Sequence, residues 1–192
     1  MMALADAVHA GLIPGTEIVV VISDRRDAAG LKRATERGLE TLIIERHGRP
    51  QAEHEQEILT ELKVRNVELV CLAGFMRILS PMFISAYQAH VLNIHPSLLP
   101  AFPGLNAQSQ AIKHGVKWSG CTVHFVDETL DAGPIIVQRV VPIYDEDTVE
   151  TLTGRILIEE HYAYPEAVAL VVSGAYRIFG RRVIRSHTYP IK

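Results

Sequence analysis

Two apolar runs constrain this chain more than any other feature. "EIVVVIS" (17–23) and "VELVCLAGF" (67–75) are rich in β-branched residues and show no polar alternation. A strand of that kind has no face to offer water, so it belongs in a sheet covered on both faces. Helical patterns lie around them. "AAGLKRATERG" (28–38) is amphipathic and closes on a glycine, and "EHEQEILTELKVRN" (53–66) puts Ile58, Leu59 and Leu62 on one side. A helix is expected over 1–10, a strand over 40–45, a short proline-led helix over 81–88 and a strand over 91–95. This rhythm predicts an α/β fold, a mostly parallel sheet with flanking helices.

The rhythm changes after residue 118. "GCTVHFVDE" (120–128) and "GPIIVQRVVPI" (133–143) read as strands joined by a tight segment, hence an antiparallel pair. A long helix follows from Thr148 to about Ser173, interrupted or kinked at Pro165, and "YRIFGRRVI" (176–184) reads as a last strand. The 192 residues suit one domain, 1–192, and 48% apolar content supplies its core. A net charge of -3 offers no basic face for nucleic acid. No apolar run reaches the length of a membrane span and no secretory leader pattern opens the sequence, so the expected compartment is cytoplasmic. Cys71 and Cys121 sit far apart in apolar runs and read as buried thiols.

Chemistry concentrates in "NIHPSLLPAFPG" (93–104). Asn93 and His95 lie two apart at a strand end, which puts both side chains on one face. The prolines that follow stiffen the support. Asp131, in "ETLDAGPII", lies in a loop that can fold back towards them. A carboxylate that accepts from one imidazole nitrogen fixes the tautomer and favours the protonated ring. Imidazolium and amide together can stabilise an oxyanion, which suits acyl transfer through a tetrahedral intermediate. On spacing alone two other readings stay open: a structural histidine with a turn-forming aspartate, and a metal site of His95, His124 and Asp131 that matches no compact ligand motif. "AGFMRILS" (73–80) is ordinary core, or else an apolar wall with free backbone groups for a flat heterocycle.

Four motifs in register, "LAGFMRILS", "LNIHPSLLPAFPG", "SGCTVHFVDETLDAGPII" and "EEHYAYP", resemble the phosphoribosylglycinamide formyltransferase family from about residue 3 to about 184. The resemblance implies a Rossmann-like formyltransferase fold. It implies transfer of a formyl group from 10-formyltetrahydrofolate to the amine of glycinamide ribonucleotide in purine synthesis, with no metal. The family's catalytic asparagine, histidine and aspartate fall on Asn93, His95 and Asp131. Its folate pocket falls on Met76, Arg77, Ile78 and Leu79, on Asn93, and on Asp127, Glu128, Thr129, Leu130 and Asp131. Glu160 matches the acid that binds the ribose, and Pro96 falls beside the ribonucleotide. Small-molecule substrates and a homodimer are the expected partners, with no nucleic acid and no membrane. Formyltetrahydrofolate hydrolases resemble the chain too, but differ at Phe75, Arg77 and Pro96. The methionyl-tRNA formyltransferases share the catalytic three and add a tRNA-binding domain.

The resemblance departs at Gln51, Asn106, Ser109 and Leu157, and most of all at the front. "MMALADAVHAG" matches a helix that, in the family, follows a strand and a glycine-rich phosphate loop. The expectation is that two sheet strands here each lack a neighbour. They would either close up or leave a groove that water or another chain fills. Ribonucleotide binding is expected to be weaker than folate binding. The alternative reading is a weakly active or inactive folate-binding remnant, or a hydrolase-like enzyme.

Overall fold

The protein is described by a computed structural model covering residues 1–186. Six helices and eight strands alternate along it: α1 (Met2–His9), β1 (Val21–Ser23), α2 (Ala29–Glu36), β2 (Thr41–Ile43), α3 (Gln51–Val64), β3 (Val70–Leu72), α4 (Pro81–Ala86), β4 (Val91–His95), α5 (Ala107–Lys113), β5 (Trp118–Phe125), β6 (Ile135–Pro142), α6 (Val149–Ser173), β7 (Tyr176–Phe179) and β8 (Arg182–Arg185). The fold is α/β with flanking helices, as the sequence predicts. β1 and β2 pair in parallel as a separate two-stranded sheet. The larger sheet runs β3-β4-β5-β6-β8-β7, parallel at β3–β4 and β6–β8 and antiparallel at β4–β5, β5–β6 and β7–β8.

Two apolar clusters cover the sheet. One joins α1 and α6 to β4, β5 and β6 through Leu4, Leu92, Val123, Leu152, Ile156 and Val168. The other joins α3 and α4 to β1, β3 and β4 through Leu62, Phe83, Val91 and Val20. Among the described residues no helix is long and apolar enough to cross a membrane.

The strand expected over 91–95 forms as expected, but the runs 17–23 and 67–75 form ladders only over 21–23 and 70–72. Their side chains are half-buried rather than covered on both faces. Among the described residues each of these strands pairs on one edge only. The long helix runs unbroken through Pro165. Proline removes one N–H there, and the carbonyl that would have accepted it belongs to His161, an exposed residue. The last expected strand is a hairpin, β7–β8, turning at Gly180 with φ +58°. Helix α5 was not expected; it starts at Asn106, whose left-handed φ of 59° reverses the chain out of the proline-rich loop.

Tyr164 on α6 ties the sheet together. Its hydroxyl is fully buried and lies 2.7 Å from the Leu72 carbonyl and 3.0 Å from that of Leu92. Burial pushes the phenol well above its usual range, so it stays a donor. Tyr164→Phe leaves two carbonyls to share no hydroxyl. A loss of about 1–3 kcal/mol in chemical denaturation is expected; a variant as stable as the parent contradicts the role.

Candidate active site

β4 ends where the chain turns into the proline-rich loop, and its last residues carry the candidate groups. The pairing with β5 sets Asn93 opposite His124 and His95 opposite Thr122. Thr122 anchors the loop beyond. Its hydroxyl donates to the Ser97 carbonyl at 2.7 Å and accepts from the Leu99 N–H at 3.0 Å. Gln138 on β6 donates to Thr122 Oγ1 at 3.0 Å and to the Leu99 carbonyl at 2.9 Å. The backbone that follows His95 is therefore held from the sheet itself.

The structure brings Asn93, His95 and Asp131 together as the sequence expects, and adds His124. His95 Nδ1 lies 3.4 Å from Asp131 Oδ2, and its Nε2 donates to the Phe102 carbonyl at 2.8 Å. The Phe102 carbonyl and the Asp131 carboxylate thus flank the two ring nitrogens. Asp131, at φ 50°, turns its carboxylate inward and also accepts the Gly104 N–H at 2.7 Å. One carboxylate thus orients the imidazole and latches two loops. Gly133 permits the second loop to pass so close: a Cβ there would sit 1.9 Å from the Phe125 carbonyl oxygen.

His124 is the residue that sequence reasoning passed over, except as a metal ligand. Its Nδ1 donates to its neighbour's carbonyl, Phe125 O, at 2.8 Å, so Nε2 is left to accept. Asn93 Nδ2 lies 3.3 Å from that nitrogen. Burial pushes His124 below the usual histidine range, which keeps it neutral and an acceptor. One amide hydrogen of Asn93 is thereby committed and the other is free. The signal in sequence was a histidine inside the apolar run "CTVHF". Among the described residues no group of three side chains is arranged to hold a metal ion.

The wall over 73–80 is split. Met76 and Ile78 are 71% and 59% exposed, but Leu79 is buried among Phe83 and Ile84. Arg77 pairs with Asp24 at 3.0 Å and lies over the Phe75 ring. Gln51 and Glu55 of α3 hold this loop: Gln51 donates to the Ile78 carbonyl at 2.8 Å, and Glu55 accepts from the Ser80 N–H and hydroxyl. On the other side, Asp127 accepts the Thr129 N–H at 2.9 Å, closing a turn in which Glu128, Thr129 and Leu130 are exposed. Leu130, 51% exposed, lies against Gly104. Pro96 is half-buried beside His95.

Glu160 stands apart. Its electrostatic neighbours are the Met1 amine and Cys121, and no hydrogen bond joins it to Asn93, His95 or Asp131 among the described residues. Burial pushes its carboxyl up to about 7. Cys71 and Cys121 are pushed up to about 12 for the same reason and stay thiols. A carboxyl raised in the folded state gives stability that is full below its unfolded value near 4.5 and lost as pH rises through about 7. The difference corresponds to about 3 kcal/mol. Stability measured by denaturant between pH 4.5 and 8 is expected to fall by about that amount, and Glu160→Gln to remove most of the slope. Identical slopes in the two proteins contradict the burial of this acid.

An amide and two histidines on the adjoining strands β4 and β5 thus meet the carboxylate of Asp131, on the loop between β5 and β6. The sequence profile of the Formyl transferase family matches residues 1–168. The chain belongs to that family. It is 39% identical over 180 residues to the phosphoribosylglycinamide formyltransferase of Escherichia coli K12, covering 93% of this chain and 84% of that protein. It is 51% identical over 162 residues, 84% of its length, to a trifunctional purine biosynthetic protein of Drosophila pseudoobscura pseudoobscura. The chain spans only 12% of that larger relative. The crystal structure of glycinamide ribonucleotide transformylase 1 from Symbiobacterium toebii superposes with a TM-score of 0.93 at 49% identity, covering 95% of this chain and 86% of that one.

Proposed function

We propose that this chain transfers the formyl group of 10-formyltetrahydrofolate to the primary amine of glycinamide ribonucleotide, a step of purine biosynthesis. One observation supports this above the others. Asn93 keeps a free amide hydrogen beside an imidazole held by a carboxylate. The reaction needs that pair. The amine attacks the formyl carbon and its oxygen becomes an oxyanion, which the Asn93 N–H and the His95 N–H stabilise. The new C–N bond forms, the bond from carbon to the folate nitrogen breaks, the amine gives up one proton and the folate nitrogen takes one. For His95 to reach the oxyanion, Nε2 must exchange the Phe102 carbonyl for it. Asp131 keeps the ring in place meanwhile.

Exposed Met76, Ile78 and Leu130 give the folate apolar contacts, and backbone groups of the two loops meet the pterin. Glu160 and Pro96 serve the ribonucleotide. The folate is the formyl donor and is consumed as a co-substrate. The test is a steady-state assay with 10-formyltetrahydrofolate, with and without glycinamide ribonucleotide. Tetrahydrofolate forming only when the ribonucleotide is present supports transfer. Formate released at the same rate without it rejects transfer in favour of hydrolysis.

A further inference from the structure

His95, Thr122 and Gln138 form a row across the larger sheet. The β4–β5 register sets His95 opposite Thr122, and the β5–β6 register sets Thr122 opposite Gln138. Directly opposed residues share a face, so Gln138 stands on the side of the sheet that carries the candidate site. Neighbouring strands lie about 4.8 Å apart, which puts Gln138 about 10 Å from His95 along the row. It is out of reach of the imidazole and of the reacting atoms.

What Gln138 does reach is the loop that leaves His95. Its amide nitrogen has two hydrogens and both are used, one on the Leu99 carbonyl at 2.9 Å and one on Thr122 Oγ1 at 3.0 Å. Thr122 Oγ1 in turn accepts from the Leu99 N–H at 3.0 Å. Leu99 is thus pinned at its N–H and at its carbonyl, from two different strands. Gly120, on the same face of β5, leaves room for the loop: a Cβ there would come within 2.8 Å of Leu98 Cδ2.

Beyond Leu99 the loop folds on itself. The Ser97 hydroxyl donates to the Ala101 carbonyl at 2.5 Å, and the Ala101 N–H donates to the Leu98 carbonyl at 3.0 Å. The next carbonyl, that of Phe102, is the one to which His95 Nε2 donates at 2.8 Å. Two residues further on, the Gly104 N–H meets the Asp131 carboxylate at 2.7 Å. The loop therefore returns to both His95 and Asp131, and its path is set at Leu99.

We propose that Gln138 is a positioning residue for His95. By fixing Leu99 it fixes the Phe102 carbonyl, which holds the Nε2–H in place until the oxyanion takes the carbonyl's position. The proposal rests on the formyl-transfer reading for what that N–H does, and on the hydrogen bonds alone for how it is held. Gln138 is an exposed residue, so changing it leaves the core intact. Thr122 is fully buried and keeps its bonds to Ser97 and Leu99 when Gln138 is changed, so the loop stays attached while the Leu99 carbonyl is released. A misplacement of about 1 Å at a reacting group can cost about a hundredfold in rate, so a partly loosened loop is enough to be read.

Gln138→Glu keeps the shape of the side chain and removes both donors, and Gln138→Ala removes the amide altogether. In the protein without substrates, ¹⁵N NMR of the imidazoles reads the His95 Nε2–H, assigned by its absence in His95→Asn. The parent is expected to show a slowly exchanging ring proton, and both variants to exchange it at least tenfold faster. With 10-formyltetrahydrofolate and glycinamide ribonucleotide, kcat is expected to fall at least tenfold in both variants, with the donor KM within about twofold and the urea midpoint close to that of the parent. A parent with no protected ring proton, variants with an unchanged ring proton, a fall in kcat smaller than tenfold, or a loss carried by the donor KM overturns the proposal. A parent that forms no formylated ribonucleotide defeats the formyl-transfer reading instead, and the ring proton then decides by itself whether Gln138 holds His95.

Discussion

Asn93→Ala is expected to lower kcat for formyl transfer about 10²–10³-fold, with the KM for the folate donor nearly unchanged. On the proposed reaction the amide meets charge that exists only in the transition state, so its loss is expected to fall on kcat rather than on donor binding. The effect is large because this donor is already oriented: His124 holds one amide hydrogen at 3.3 Å, so the amide itself need not turn when the oxyanion forms. His95→Asn is expected to lose at least as much, since it removes the second donor and breaks the contact with Asp131. Folded variants, checked by circular dichroism, that retain a tenth or more of the parent kcat remove both residues from the chemistry.

Gly133→Ala is expected to be the most damaging single methyl group in the loop that carries Asp131. The position has an ordinary φ, so the penalty is not backbone strain; it is a Cβ placed 1.9 Å from the Phe125 carbonyl oxygen. Either the 127–133 loop lifts away or β5 shifts. Overpacking of this kind typically costs about 1–3 kcal/mol, and a clash with backbone lies at or above the upper end. Lifting the loop also withdraws Asp131 from His95 and from the Gly104 N–H. A stability loss of about 3 kcal/mol in urea, with transfer reduced at least tenfold under folding conditions, is the expected pair of results. Alanine tolerated with full stability and activity means that the loop does not pass β5 this closely.

What the sequence made legible follows the range of the interactions involved. Asn93 and His95 could be read because strand period is local: two residues apart means one face. Asp131 could be read as a partner because its loop is short and bounded by Gly133 and Pro134. The role of His124 depends on the β4–β5 register, a pairing across 31 positions, and no local pattern encodes it. The acceptor for His95 Nε2 is a main-chain carbonyl, Phe102, which carries no side-chain signature. Leu79 looked like a wall residue beside Ile78, but helix α4 begins next to it and draws it into the core.

The fold divides the same way. β-branched runs mark strands, yet how far each becomes a ladder depends on its neighbours. Residues 17–20 and 73–75 have strand composition but, among the described residues, no second partner, and they lie outside the ladders. The open groove expected from the resemblance is the form found, and the two strands have not closed up. Pro165 predicted a break in α6. The tertiary packing of Ala163, Tyr164, Ala167 and Val168 on either side of it holds one continuous helix instead.

The most direct measurement uses 10-[¹³C]formyltetrahydrofolate and glycinamide ribonucleotide, with the 192-residue chain and its His95→Asn variant compared side by side by mass spectrometry. The account predicts ¹³C-formylated ribonucleotide appearing one-for-one with tetrahydrofolate in the parent, and at least a hundredfold slower in the variant. Label recovered only as formate, or equal rates of labelled product from both proteins, contradicts it.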